Sequence, residues 1–106
     1  MDAGRLNEEA RAVDAATYYR ANPVVSCGEE PDGAVLFNPD VDDTAFVNVS
    51  GRTLWYFLET PRTVSEMSRY LREAYEGVFV AQAAEDVRQF VRTLTPEFVL
   101  EVDGYG

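Results

Sequence analysis

One cysteine, pairs of adjacent carboxylates, a run of aspartates and two arginines four positions apart are the groups in this sequence that could do chemistry. Cys27 is the only cysteine, and the chain has no histidine. A thiol becomes a good nucleophile when a base or cation beside it favours the thiolate. Without histidine no Ser-His-Asp or Cys-His arrangement can form. The same count excludes an internal disulfide and any thiolate-cluster or imidazole metal centre. Cys27 lies in the apolar run VVSCG and reads as a small, half-buried hydrophobe. Glu29-Glu30 and Glu85-Asp86 are neighbours on the chain and read as solvated acids, not as a general acid–base pair. The aspartates of DVDD, residues 40 to 43, lack the spacing and closing glutamate of an EF-hand loop, so they read as a solvated turn. Arg88 and Arg92 share one face of a helical stretch, solvated or paired with nearby acids such as Glu85. No cofactor site follows from any of these groups.

Charge narrows the partners. The formal net charge is -10 over 106 residues, and all nine cations are arginine. Residues 1–49 hold ten acids and three arginines, residues 50–94 six of each, and the last twelve residues three acids. The helical half is therefore neutral while both ends are acidic. Affinity for duplex DNA comes largely from cations that release counterions from phosphate, so unaided DNA binding is disfavoured. No apolar run approaches the roughly 18 residues of a membrane span. The first residues lack the apolar core of a signal peptide, so the expected location is cytoplasmic. At 46% hydrophobic and 12% aromatic, the chain can build one modest core, which at this length means one domain.

The elements that would carry these groups can be read from periodicity and caps. RLNEEARAVDAATYYR, residues 5 to 20, predicts a helix with Asn7 as cap, and Asn22-Pro23 ends it. VVSCGEE (24–30) and AVLFN (34–38) predict a hairpin about the turn Pro31-Asp32-Gly33. AFVNV (45–49) predicts a third strand with Ala45, Val47 and Val49 on the buried face. Phe46 then points outward beside a sheet edge, an apolar patch that invites a partner. Ser50 is the expected cap of a first core helix carrying Leu54, Trp55, Phe57 and Leu58. Thr63-Val-Ser-Glu66 is a capping box for a second, with Val64, Met67, Leu71 and Ala74 as its stripe and Gly77 as its left-handed close. A third helix spans Val80 to Leu94 with Ala83, Val87, Phe90, Val91 and Leu94 inward, stopped by Pro96. FVLEVDG reads as a short strand or extended tail. The expected fold class is α+β: a winged-helix-like domain, a three-stranded antiparallel meander packed on three helices, with an extra N-terminal helix. Residues 1–22 form the N-terminal extension and 23–103 the domain.

In that order the residues carry a pattern. The chain resembles the PqqD-like family of peptide chaperones and recognition elements for ribosomally made, modified peptides. The resemblance runs over about residues 19–102, from Tyr19-Arg20-Ala-Asn-Pro23 through AVLFNP. It is strongest in VNVSGRTLWYFLETPRTVSEM, where Asn48, Gly51, Trp55, Arg62, Thr63, Val64 and Glu66 match in order and spacing. DVRQFVRTL matches the third helix. The chain departs from the family at Thr95-Pro96-Glu97, where a Gly-Leu turn is usual, and in the order of Ala45-Phe46.

The resemblance implies a binding module and not an enzyme. The leader of a precursor peptide would add as a strand to the free edge of the third strand, in the groove it forms with the third helix. Thr44, Ala45, Phe46, Val47 and Asn48 would supply the edge. Val87, Val91 and Phe90 would floor the groove, and Arg88 and Arg92 would pair with acidic leader residues. A charge at Val47 or Val91 would then weaken leader binding more than folding. The expected partners are the precursor peptide and a peptide-modifying enzyme such as a radical S-adenosylmethionine maturase, whose iron–sulfur cofactors would belong to that enzyme. Neither nucleic acid nor membrane is expected, and a free edge strand also permits a homodimer. The competing readings are a winged-helix DNA-binding regulator and a subunit-docking domain that no longer binds peptide.

Overall fold

The computed structural model describes residues 17–77 and 79–103. Along the chain come β1 (Tyr18–Ala21), β2 (Ser26–Glu30), β3 (Gly33–Asn38), β4 (Asp43–Asn48), α1 (Val49–Phe57), α2 (Val64–Ala74), α3 (Val80–Leu94) and β5 (Val99–Val102). β2, β3 and β4 form one antiparallel sheet in that order, and β1 and β5 form a two-stranded ribbon. The architecture is α+β, with three antiparallel strands in one sheet and three helices.

The hairpin forms where the turn residues put it, with Glu30 opposite Gly33 across Pro31-Asp32. Gly33 is required by crowding: a Cβ there would collide with the Val47 carbonyl oxygen. The guanidinium of Arg52 on α1 closes this end, its Nη1 donating to the Glu30 carbonyl at 2.7 Å and the Gly33 carbonyl at 3.0 Å. The inner face of the sheet presents Ala34, Leu36 and Val47. They meet Leu54, Trp55 and Leu58 of the α1 segment, Met67 and Leu71 of α2, and Val87, Phe90, Val91 and Leu94 of α3 in one core. The stripe foreseen on α3 is the buried one, Ala83 and Val87 being fully buried. Among the described residues no helix is long and apolar enough to cross a membrane.

Several local expectations change. Residues 5–16 of the foreseen N-terminal helix lie outside the described residues. From Tyr18 to Ala21 the chain is a strand, paired Tyr18 to Val102 and Ala21 to Val99. Consecutive tyrosines favour extended backbone, and tertiary pairing outweighs the helical pattern written before them. The tail FVLEVDG contributes the other strand of that ribbon. Asn48, not Ser50, caps α1: its Oδ1 accepts from the Gly51 amide at 2.9 Å and from the Ser50 hydroxyl at 3.1 Å. The helix therefore begins at Val49, which leaves the sheet face and is exposed. Gly51 allows this sharp entry, because a Cβ there would lie 2.9 Å from the Val47 Cβ.

The capping box on α2 is present, with the Glu66 amide donating to Thr63 Oγ1 and the Thr63 amide to Glu66 Oε1. Such a cap contributes about 1 kcal/mol. α2 runs to Ala74, the last residue of its stripe, but Ala74 is exposed, and Tyr75 is already extended. Gly77 is left-handed at φ 82°, two positions past the cap, so it turns the loop and does not close the helix. Two Asn-Pro pairs brace the far end. Asn22 and Asn38 each donate a side-chain N–H to the Glu97 carbonyl, at 3.0 and 2.7 Å. Asn38 is almost fully buried, and its oxygen accepts from the Asp40 amide. These bonds hold the joint between α3 and β5 against the loop that leads into β4.

Candidate functional site

β4 pairs with β3 on one side only, Asp43 to Asn38 through Asn48 to Gly33, and is an edge of its sheet. In an antiparallel pair, alternate residues turn both main-chain polar groups toward the partner and the others turn both away. The Thr44 amide donates to the Asp43 carboxylate at 2.9 Å, so it points away from β3. By alternation Phe46 also turns its N–H and C=O to the open side. Among the described residues no group takes the Phe46 amide. The Phe46 ring stands on the outer face of the sheet over Gly33 and is 56% exposed. A large exposed ring beside unpaired main-chain groups is what a strand seeking a further strand would present.

A cavity of about 280 Å³ opens beside this edge. Phe46, Val47 and Asn48 form its strand side, and Leu54 of α1 and Leu71 of α2 its apolar floor. α3 supplies the opposite wall with Asp86, Gln89, Phe90, Thr93 and Leu94. Apolar depth with polar groups at the rim suits a single side chain of a bound peptide. Among the described residues Asp86 is the only charged one lining it.

The residues singled out by sequence divide. Thr44 and Phe46 are exposed on the open edge, and Ala45 is half-buried against the core. Val47 lines the cavity but is only 7% exposed, so a charge there strikes the core first. Asn48 lines the cavity while its side-chain oxygen is committed to the cap. Val87 is fully buried core. Arg88, Val91 and Arg92 lie on the other side of α3, lining a separate cavity with Tyr19 and Glu101. Asp86, Gln89, Thr93 and Leu94 were missed, and only Phe90 joins them as foreseen. Helical period was the available signal: 86, 89, 90, 93 and 94 share one face, and 87, 88, 91, 92 and 95 the opposite one. The pattern separates the two faces without saying which one meets β4.

A third polar group sits where β2 meets α1. The Tyr56 hydroxyl donates to Glu29 Oε2 at 2.6 Å, and the Cys27 thiol donates to the Tyr56 hydroxyl oxygen at 3.7 Å. The bond to Glu29, then the thiol, hold the Tyr56 phenol well above its ordinary pKa. A phenol kept neutral is no nucleophile, and the cluster serves to tie the outer edge of the sheet to the helix.

A model of the family described as coenzyme PQQ synthesis protein D (PqqD) matches residues 33–97. No curated protein matches the chain. Two solved structures are similar in fold. The first, TbiB1 in complex with the TbiA(beta) leader peptide, has a TM-score of 0.64 at 22% identity. The likeness covers 82% of this chain and 98% of that one. The second, lasso peptide synthetase B1 complexed with the leader peptide, has a TM-score of 0.63 at 20% identity, over 77% of this chain and 96% of that one.

Proposed function

The chain belongs to the PqqD family, and from that premise we propose that it is a non-catalytic module that binds the leader of a ribosomally made precursor peptide and presents it to a modifying enzyme. One observation carries the reading: an open strand edge at Thr44 and Phe46 runs beside a partly apolar cavity walled by α3. The solved proteins of similar fold are leader-peptide complexes, which supports the same reading. The leader lies along β4, its main chain bonded at Thr44 and Phe46, and one apolar side chain enters between Phe46 and Phe90. Main-chain bonds supply register, and the cavity supplies selectivity. In this reading Gln89, Phe90 and Asp86 replace Val87, Arg88, Val91 and Arg92 as the helix side of the groove. Residues 23–103 form the recognition domain and 1–22 an extension, whose last residues are already stitched to β5. The partner is a maturase of the radical S-adenosylmethionine type in the cytoplasm, and tethering raises the effective concentration of substrate beside it.

The test is a titration of the ¹⁵N-labelled protein with leader peptides of precursors encoded near it. Saturating amide shifts at 44–48 and at 86, 89, 90 and 93 are expected, with micromolar or tighter affinity. Shifts confined to other residues, or none with any leader whether or not the maturase is present, would overturn the groove.

A further inference from the structure

The opposite side of α3 carries a second cavity, of about 300 Å³. Arg88 and Arg92 line it from successive helical turns, Val64 and Val91 are apolar, and Tyr19, Thr95 and Glu101 complete the lining. No hydrogen bond or ion pair within the described residues engages either guanidinium. The Thr95 hydroxyl oxygen is buried without a partner among those residues. Two other arginines are engaged internally, Arg52 on the hairpin carbonyls and Arg62 over the Phe57 ring at 4.0 Å. Among the described residues Arg88 and Arg92 are therefore unspent donors facing one concavity.

We propose that this cavity docks a carboxylate side chain from a partner protein, while the opposite face of α3 stays free for peptide. Paired guanidinium groups match a carboxylate with charge-assisted bonds, and Val64 and Val91 suit the methylene stem of a glutamate. Glu101 leaves the lining with one net positive charge, which fits a monoanion better than a dianionic phosphate. The charge of -10 on the whole chain repels a polyanion such as DNA, so the occupant is one or two acids on an otherwise neutral segment.

The probe is the blocked tripeptide acetyl-Leu-Glu-Leu-amide, titrated into the ¹⁵N-labelled full chain beside its Gln counterpart and inorganic phosphate. The Glu peptide is expected to move the amides of Arg88, Val91, Arg92 and Thr95 with millimolar affinity while leaving Phe46 and Gln89 unmoved. The Gln peptide should bind about tenfold more weakly, and the double variant Arg88→Gln with Arg92→Gln should lose about tenfold, as expected for a charge-assisted contact. Both arginines are exposed, and an unchanged melting temperature confirms that this variant folds. Equal binding of the Gln peptide, or phosphate acting at equal or lower concentration, overturns the carboxylate assignment. The chain's own acids are the remaining occupant. If substituting Glu8→Gln, Glu9→Gln and Asp14→Asn by itself moves the Arg88 and Arg92 signals, the cavity belongs to the N-terminus and the proposal fails. Leader titration reads the other face of α3, so either result can fail alone.

Discussion

β1 and β4 are both short strands with one side paired in a sheet, and they differ in what meets the other side. On β1 the outward groups are taken. The Tyr19 amide and carbonyl exchange bonds with Arg62, both at 2.8 Å, and the Ala21 amide donates to the Leu58 carbonyl at 2.9 Å. The segment between α1 and α2 closes that edge. On β4 the Thr44 amide meets, among the described residues, only the neighbouring carboxylate, and the Phe46 groups open beside a cavity. An edge is a liability that proteins usually cover. Here one is covered by the chain itself, and the proposed function makes the other the seat of a peptide.

Substitutions at both edges can break or sharpen this contrast. The largest effect is expected from Val47→Asp. Val47 is in the core as well as in the cavity wall, so an unpaired carboxylate should cost about 3 kcal/mol or more in urea unfolding. A fully stable Val47→Asp protein would mean that the β4 edge is not anchored to the core. Tyr19→Pro removes the amide that bonds to Arg62, and a loss of about 2 kcal/mol is expected by the same measurement. Phe46→Pro removes an amide that β3 does not use. Stability should change by less than about 1 kcal/mol, while leader affinity, read by NMR or calorimetry, falls about tenfold or more. If Phe46→Pro unfolds the protein as readily as Tyr19→Pro, the two edges are equivalent and the contrast collapses.

The smallest effect concerns the third edge, β2, where Tyr56 is tied to Glu29. Because the phenol's folded pKa is raised, the neutral form is favoured by folding. The stabilisation is fully present below the ordinary tyrosine value of about 10 and is lost as pH rises through the folded value. Ultraviolet titration should therefore show one tyrosine ionising later than the others, a signal that Tyr56→Phe removes. Normal titration of every tyrosine in the native protein would rule out the tie.

Much of the fold is legible because its signals are local. The capping box at Thr63 and Glu66, the turn at Pro31-Asp32-Gly33 and the inward stripe of α3 each depend on residues within a turn or two of one another. The errors fall where a distant segment intervenes. Tyr18–Ala21 is strand because β5 and Arg62 lie alongside it. Asn48 and not Ser50 caps α1 because Gly51 lets the helix start directly against Val47. Asn22 read as a helix stop before proline and Asn38 as the end of a strand, yet both reach the one carbonyl of Glu97.

The candidate site divides the same way. By itself the sequence determined the family, the three strands of the sheet, an outward Phe46, and two distinct faces on α3, one bearing arginines and one bearing Asp86 and Gln89. The family comes from the order and spacing of residues such as Asn48, Gly51, Trp55 and the Thr63–Glu66 box, and the strands and faces come from period, since successive residues advance by a set angle on a helix and alternate on a strand. Only the tertiary structure decided that the Asp86 face meets β4 and the arginine face meets Tyr19 and Glu101. Rotation of a helix about its own axis is set by how its whole apolar stripe seats in the core, here Ala83, Val87, Phe90, Val91 and Leu94 together. That seating depends on contacts from every other element at once, and no window of sequence contains them.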